Sequence, residues 1–182
     1  TILPYDGRWP QEFTRIQEVL AAALGPLALR IDHIGSTSVP GLGAKDVVDV
    51  QVTVADLSED VRQALLAASF QQFREAVSDH VPPGEDPAPE KWQKFLFVQP
   101  EGQRRANIHV RVEGQPNQRY PLLFRDYLRA HPRSAQTVEI IKRQLAKHHG
   151  DDVAAYYDIK DPVYDLIWDA AQTWAACTGW TA

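Results

Sequence analysis

Hydrophobic and polar residues follow a strand-like pattern in two segments of the first third of the chain. Residues 27–34 alternate between the two kinds and stop at a glycine, which predicts a strand. Residues 47–54 predict a second strand, because five of them are β-branched valines that suit a pleated sheet. On this strand Asp49, Gln51 and Thr53 share one face. The opposite face carries Val48, Val50, Val52 and Val54. The pattern therefore places polar side chains on one face of a small sheet.

The other helices and strands are predicted from the spacing of apolar residues and from residues that are typical of helix starts. Trp9-Pro10 predicts the start of a helix, because a proline in the first turn loses no hydrogen bond. Ser58 is predicted to cap a second helix. Three further segments have strand character: residues 70–77, 94–99 and 105–114. From Pro121 onward the spacing is helical, in residues 122–131, 135–150 and 162–177.

This order of elements predicts an α+β fold. Strands concentrate in residues 1–115, where we expect a small mixed sheet flanked by helices. Residues 116–182 form a helical final third that we expect to pack on that sheet. The chain shows no regular alternation of strand and helix, so we expect an α+β fold rather than a regular βαβ array. We expect this fold to form one domain.

Composition narrows the class of protein. With 182 residues and 44% hydrophobic content, the chain suits a single compact domain. A net charge of −5 gives no reason to expect a nucleic-acid partner. The single cysteine excludes an internal disulfide and a cysteine cluster for zinc. No membrane span or signal peptide is predicted from the sequence, so we expect a soluble cytoplasmic protein.

The glycine turn after the first strand has the residues for binding a phosphate. In Gly35-Ser36-Thr37 the glycine lets an anion approach the backbone, and the hydroxyls can donate hydrogen bonds to it. The following strand brings Asp49 to the same edge, where a carboxylate can hold a divalent metal that bridges phosphates. The alternative is a turn whose hydroxyls only cap the next segment.

A metal site at this edge is incomplete in its carboxylates. Gln51 occupies the place two residues after Asp49 and brings an amide oxygen without charge. His109 lies on the polar face of a later strand and can bind a metal or act as a general base. One carboxylate holds Mg²⁺ poorly, so this mixture of ligands suits Zn²⁺, Mn²⁺ or Ni²⁺ better.

Four segments together resemble the GrpB family. These are residues 32–52 with the His-Ile-Gly-Ser-Thr turn, 107–114 with His109, 124–132 with Phe-Arg-Asp-Tyr-Leu, and 156–167 with Tyr-x-x-Lys. The resemblance implies a nucleotidyltransferase sheet like that of DNA polymerase beta, and a similar domain occurs fused to dephospho-CoA kinases. It does not imply a settled reaction. Asp46 and Asn107 depart from the family pattern, which commonly has proline and histidine there.

The pattern and the resemblance together define a predicted site. Its catalytic residues are Asp49 and His109, and its metal ligands are Asp49, Gln51 and His109, for Mg²⁺, Mn²⁺ or Zn²⁺. Its substrate-binding residues are Gly35, Ser36, Thr37, Lys45, Arg105 and Lys160. We interpret four other residues as structural: His33, Arg125, Asp126 and Lys142.

The predicted ligand is a nucleotide or another phosphorylated small molecule. The leading hypothesis is a nucleotidyltransferase-like protein that carries out metal-dependent nucleotidyl or phosphoryl transfer. One alternative is a binding or accessory module for a nucleotide or a CoA-related ligand, without catalysis. A second alternative is a metal-dependent hydrolase that uses Asp49 and His109.

Overall fold

The structure is a computed structural model that describes residues 1–74 and 77–182. Its α-helices are α1 Trp9–Leu24, α2 Glu59–Ala67, α3 Pro89–Trp92, α4 Pro116–Ala130, α5 Pro132–His148 and α6 Val153–Thr178. Its strands are β1 Arg30–Ile34, β2 Val48–Val54, β3 Gln71–Gln72, β4 Val77–Ser78, β5 Gln93–Val98 and β6 Ala106–Val112. Short 3-10 turns follow α1 and β1, at Gly25–Leu27 and Ser36–Ser38.

The strands form one mixed sheet in the order β1-β2-β6-β5-β3, and β4 also pairs with β5. β2 and β6 run parallel, and the other pairs run antiparallel. The α+β prediction, with a helical final third, is confirmed. The expected strand over residues 70–77 is replaced by the two short strands β3 and β4, and part of it, Glu75-Ala76, lies outside the described residues.

The two faces of the sheet differ in chemistry. On one face the strands pack against α1 and α2, and the apolar side chains of both layers form one buried cluster. It includes Leu20, Leu24, Val48, Val50, Val52, Val54, Val61, Leu65, Phe97, Ile108 and Val110. This burial follows from the alternation along β2 and β6, and apolar area removed from water is the main favourable term in folding. The polar residues of the same strands are left facing the other way.

The helical third covers the polar face, beginning with α4. Gln118 of α4 accepts a hydrogen bond through its backbone oxygen from Gln51 Nε2 (2.8 Å), and its side chain contacts Thr53. α4 begins at Pro116, five residues before the predicted helical start at Pro121, which lies inside the helix. Apolar residues hold α5 and α6 against α4, in two clusters: Val39, Leu42, Leu128, Ala135 and Val138, and Leu123, Trp168, Ala171 and Ala175.

Helix α6 begins nine residues before the segment predicted to be helical, and it contains Pro162. The Asp152 side chain caps its first turn by accepting from the Ala155 N–H (2.9 Å), so the start is fixed by the cap and not by the proline. Lys160 consequently lies within the helix. The prediction that this helix begins at residue 162, after Lys160, was wrong.

None of the helices in residues 1–74 and 77–182 combines the length and the apolar character required to cross a bilayer.

Candidate functional site

The turn after β1 places Gly35, which has no side chain, against Asp49. Gly35 has φ +69°, and a Cβ placed on it would lie 2.5 Å from Asp49 Oδ2. That distance is far too short for non-bonded atoms, so only glycine lets the turn and the carboxylate approach this closely. The predicted neighbourhood of the Gly35 turn and Asp49 is therefore present in the structure.

Only part of the turn is free to face a ligand. Thr37 is buried, and its Oγ1 lies 2.9 Å from His33 Nε2. Ser38 Oγ donates to the Gly35 carbonyl (2.5 Å). These contacts hold the turn from behind, as we interpreted for His33, and they occupy the Thr37 hydroxyl that was predicted to bind phosphate. Ser36 is the hydroxyl that faces the polar side chains.

Asp49 and His109 converge on the same face of the sheet. The parallel pairing of β2 with β6 sets Asp49 opposite Asn107, and Gln51 opposite His109. Asn107 Nδ2 donates to Asp49 Oδ1 (2.9 Å), and His109 Nε2 lies 3.6 Å from the same oxygen. Burial alone would raise the pKa of Asp49, but His109, Asn107 and the Lys142 charge lower it below its ordinary value. Asp49 is thus a carboxylate at neutral pH.

Gln51 is turned away from this pair. It is fully buried, its Nε2 donates to the Gln118 carbonyl, and its Oε1 accepts from Arg111 Nη1 (2.8 Å). Both ends of the carboxamide are therefore engaged inside the protein. In a two-metal site this position would hold a second carboxylate. Here Gln51 instead links β2 to β6 and α4 through its hydrogen bonds.

A buried ionic cluster lies beside His109. Asp79, between β4 and α3, accepts from Lys94 Nζ (2.5 Å) and from Arg111 Nε and Nη2 (both 2.9 Å). Burial opposes the charge of Asp79, but Arg111 and then Lys94 hold its pKa far below the usual range. Burial and the Arg111 charge lower the pKa of Lys94 to about 8. Burial and the Lys94 charge lower the pKa of His109 to about 4, so His109 is neutral at pH 7.

Three lysines form the other wall of the site, the lysine wall: Lys142 of α5, Lys160 of α6 and Lys45 of the loop before β2. Lys142 of α5 is 6% exposed, and its Nζ donates to Ser36 Oγ at 2.7 Å. Burial lowers the pKa of Lys142 to about 8; Asp49 opposes this change, whereas Lys160 and Lys45 add to it. The charges of Lys45 and Lys160 therefore act on the same small region as Ser36 and Asp49.

The rings of α6 hold two of these lysines. Lys160 Nζ lies 4.3 Å from the centre of the Tyr164 ring and pairs with Asp161 (2.9 Å), and Lys45 Nζ lies 4.7 Å from the Tyr156 ring centre. A cation over an aromatic face is attracted by the ring's negative side. This places the predicted residues Lys45 and Lys160 on the lysine wall.

A role for Arg105 in substrate binding stays a prediction. Its side chain is exposed just before β6, and its carbonyl accepts from the Val48 N–H. The neighbouring Arg104 is bound to Glu12 and Asp46 and is structural. Arg125 pairs with Asp126 (2.7 Å) and donates to the His33 carbonyl (3.0 Å), which matches its interpretation as a structural ion pair.

Sequence reasoning missed Lys142, which we interpreted as a structural residue. A signal for it was present. The buried residues of α5 are Ala135, Val138, Lys142 and Leu145, so this lysine stands in the apolar stripe of an amphipathic helix. Lys94 and Asp79 were also missed, because only the pairing of β4, β5 and β6 brings them together.

The residues at the site do not fit a resident metal. Within residues 1–74 and 77–182 no group of three or more histidine, cysteine, aspartate or glutamate side chains could hold an ion. Asp49 and His109 supply two ligands, and the ammonium groups of Lys94 and Lys142 lie close to them. A cation would need substrate oxygens to complete its coordination, so metal binding stays a prediction for this pair.

With the geometry described, the chain can be compared with known proteins. The sequence model for the GrpB family, described as GrpB protein, matches residues 1–169. The chain belongs to the GrpB family. The structure of a conserved GrpB protein from Enterococcus faecalis is similar, with a TM-score of 0.76 and 26% identity over 96% of this chain and 99% of that one. The predicted family resemblance is confirmed.

Two other comparisons bear on the fold and on the size of relatives. This GrpB chain is similar to a cytoplasmic RNA terminal U-transferase, with a TM-score of 0.52 and 17% identity over 81% of this chain and 44% of the other. That likeness shows a nucleotidyltransferase-like fold. A dephospho-CoA kinase from Mycolicibacterium paratuberculosis is 34% identical over 98% of this chain, which spans 47% of the kinase. The chain thus covers about half the length of that relative.

Proposed function

We propose that this GrpB-family protein binds a nucleotide or another phosphorylated small molecule between the Gly35 turn and the lysine wall. The observation that carries the proposal is Lys142. A lysine 6% exposed is costly, and its Nζ is aimed at the hydroxyl of the glycine turn. An anionic ligand that reaches this ammonium group would offset the cost.

The charges around the turn support an anion as the ligand. Lys142 donates to Ser36, and the charges of Lys45 and Lys160 act on Lys142. Asp49, Asp161 and Glu139 supply the nearby negative charge. The buried cluster beside His109 adds two cations, Lys94 and Arg111, and one carboxylate, Asp79. The net positive charge of this region contrasts with the net charge of −5 for the whole chain. Phosphate is the anion that lysine clusters of this kind commonly hold.

Binding does not require the metal of a two-metal transferase. The buried contacts of Gln51 remove it from the cleft, which leaves Asp49 as the carboxylate facing the turn. We therefore favour ligand binding over metal-dependent transfer. Nucleotidyl or phosphoryl transfer, and hydrolysis by Asp49 and His109, remain alternatives that the binding experiment separates by their metal dependence.

The test is calorimetric titration of ATP, CTP, GTP and CoA, each with EDTA and then with Mg²⁺, Mn²⁺ or Zn²⁺. We compare the wild type with Lys142→Met and with Lys147→Met, which removes an exposed lysine from the same helix. Charged hydrogen bonds contribute about 1.5–3 kcal/mol, so Lys142→Met should weaken binding about 10- to 150-fold. Lys147→Met should change it little.

Two results would contradict the proposal. The first is that none of the four compounds binds to folded wild-type protein under any condition. The second is equal weakening by Lys142→Met and Lys147→Met, which would show a diffuse effect of charge. Binding that appears only with a metal, together with turnover, would support transfer or hydrolysis instead.

A further inference from the structure

The two ring nitrogens of His109 face groups of opposite character. Lys94 Nζ lies 3.1 Å from Nδ1, and Arg111 Nη2 lies 3.4 Å from the same atom. The other nitrogen, Nε2, faces Asp49 Oδ1 at 3.6 Å. Ammonium and guanidinium groups only donate hydrogen bonds, so Nδ1 must act as an acceptor. A neutral imidazole that accepts at Nδ1 carries its hydrogen on Nε2.

Lys94 is held firmly in the position from which it acts on His109. Its side chain is 9% exposed, and its Nζ also donates to Asp79 Oδ1. Asp79 in turn accepts from Arg111 and from Asn117 Nδ2 (3.1 Å). Because the ammonium group is also bound to Asp79, it has little freedom to turn away from Nδ1.

We propose that Lys94 is a positioning residue that fixes His109 as the Nε2–H tautomer, so that His109 and Asp49 together bind one hydroxyl group of the ligand. The ligand in this statement rests on the proposed function. His109 supplies a donor and Asp49 an acceptor, and a hydroxyl group both accepts and donates. The tautomer by itself is a property of the free protein.

The separation of the two atoms fits a single bridging hydroxyl. An oxygen about 2.8 Å from each can be shared by atoms 3.6 Å apart, which are themselves too distant for a good direct hydrogen bond. The side chains are partly open, at 16% exposed for His109 and 29% for Asp49. The Asn107 bond uses one lone pair of Oδ1 and leaves the rest of the carboxylate available. The ligand class is thus a phosphorylated alcohol, such as a nucleotide with a free ribose hydroxyl.

The first experiment reads the tautomer by nitrogen NMR of the ¹⁵N-labelled free protein at pH 7, with His109 assigned by its loss in His109→Gln. We expect an unprotonated Nδ1 and a protonated Nε2 in the wild type. Lys94→Met should lose this single tautomer. Asp79→Asn, which disturbs the same cluster but keeps Lys94, should retain it. A wild-type ring that is doubly protonated or carries its hydrogen on Nδ1 overturns the proposal, even if Lys94→Met does not fold. A Lys94→Met spectrum like that of the wild type overturns the role of Lys94.

The second experiment compares ATP, 2′-deoxy-ATP and 3′-deoxy-ATP by calorimetry. A net hydrogen bond contributes about 0.5–1.5 kcal/mol, so one deoxy form should bind about 2- to 12-fold more weakly than ATP to the wild type. Lys94→Met should lose that preference. Equal affinities for all three in the wild type overturn the hydroxyl assignment. Failure of ATP, CTP, GTP and CoA alike to bind refutes the proposed function and the hydroxyl assignment with it, while the tautomer of the free protein still decides the role of Lys94.

Discussion

Replacing Lys142 by methionine should weaken ligand binding and stabilise the free protein. A fall in the pKa of this lysine from 10.5 to about 8 means that folding disfavours its charged form. At about 1.4 kcal/mol for each tenfold change in the protonation equilibrium, the cost approaches ~3 kcal/mol at neutral pH. Methionine keeps much of the buried chain length without the charge. The attraction to Asp49 is already contained in that pKa, and the lost bond to Ser36 reduces the gain, so we expect ~1–2 kcal/mol.

The pH dependence gives the sign of the effect. Because the folded pKa lies below the unfolded one, the unfolded chain binds more protons between pH 8 and 10.5, and wild-type stability gains a rising contribution from Lys142 across that window. Lys94, whose pKa is also about 8, adds a contribution of the same sign. The advantage of Lys142→Met over the wild type should therefore be largest near pH 7 and shrink toward pH 10.

The assay is urea unfolding followed by tryptophan fluorescence at pH 7 and pH 10, for wild type, Lys142→Met and the surface control Lys147→Met. A gain of ~1–2 kcal/mol at pH 7 corresponds to ~2–8 °C in Tm for a chain of this length. Lys147→Met should stay within about 0.5 kcal/mol of the wild type. Destabilisation by Lys142→Met at pH 7, or a gain that grows toward pH 10, would refute the reasoning that this ammonium group is held at a cost for a ligand.

Three further predictions concern the turn and the buried network. Gly35→Ala should destabilise the fold by at least ~1 kcal/mol more than Gly84→Ala, since both glycines have positive φ but only the first meets Asp49; equal loss in thermal unfolding would contradict the close approach. Gln51→Leu should cost ~2–5 kcal/mol in urea unfolding, because Arg111 and a backbone carbonyl lose their partner; a loss below ~1 kcal/mol would contradict this. Asp79 has a lowered pKa, so its contribution is present above the unfolded pKa of about 3.9 and is lost as pH falls below it. Wild-type stability should therefore fall more steeply than that of Asp79→Asn between pH 5 and 3, and parallel curves would refute that role.

The strands that form the site were predictable because their patterns are local. The valines of β2 alternate with Asp49 and Gln51, and the register of β6 repeats the alternation with Asn107 and His109. Alternation decides which side chains share a face, and burial of the apolar face then fixes the other set as polar. The glycine turn was predictable for a similar reason, since a positive φ at a strand end favours glycine.

The role of each residue within the site was harder to predict from the sequence. Gln51 and His109 share the polar face with Asp49, yet Gln51 is enclosed by Arg111 and α4, and His109 is held by Lys94. A pattern of alternation cannot distinguish these cases, because the difference comes from which helix covers each position. The same limit applies to Lys160, whose place in α6 was decided by the cap at Asp152.

By itself, the sequence determined the α+β class, the turn at Gly35 and the shared face of Asp49 and His109, since each depends on periodicity over a few residues. Only the tertiary structure decided that Lys142, 106 positions from Ser36, donates to its hydroxyl. The same is true of Lys94, which meets His109 through the β5–β6 pairing. Contacts between distant segments depend on how helices and strands pack. The apolar stripe around a lysine indicates that the lysine is buried, but it does not identify the group that the lysine contacts.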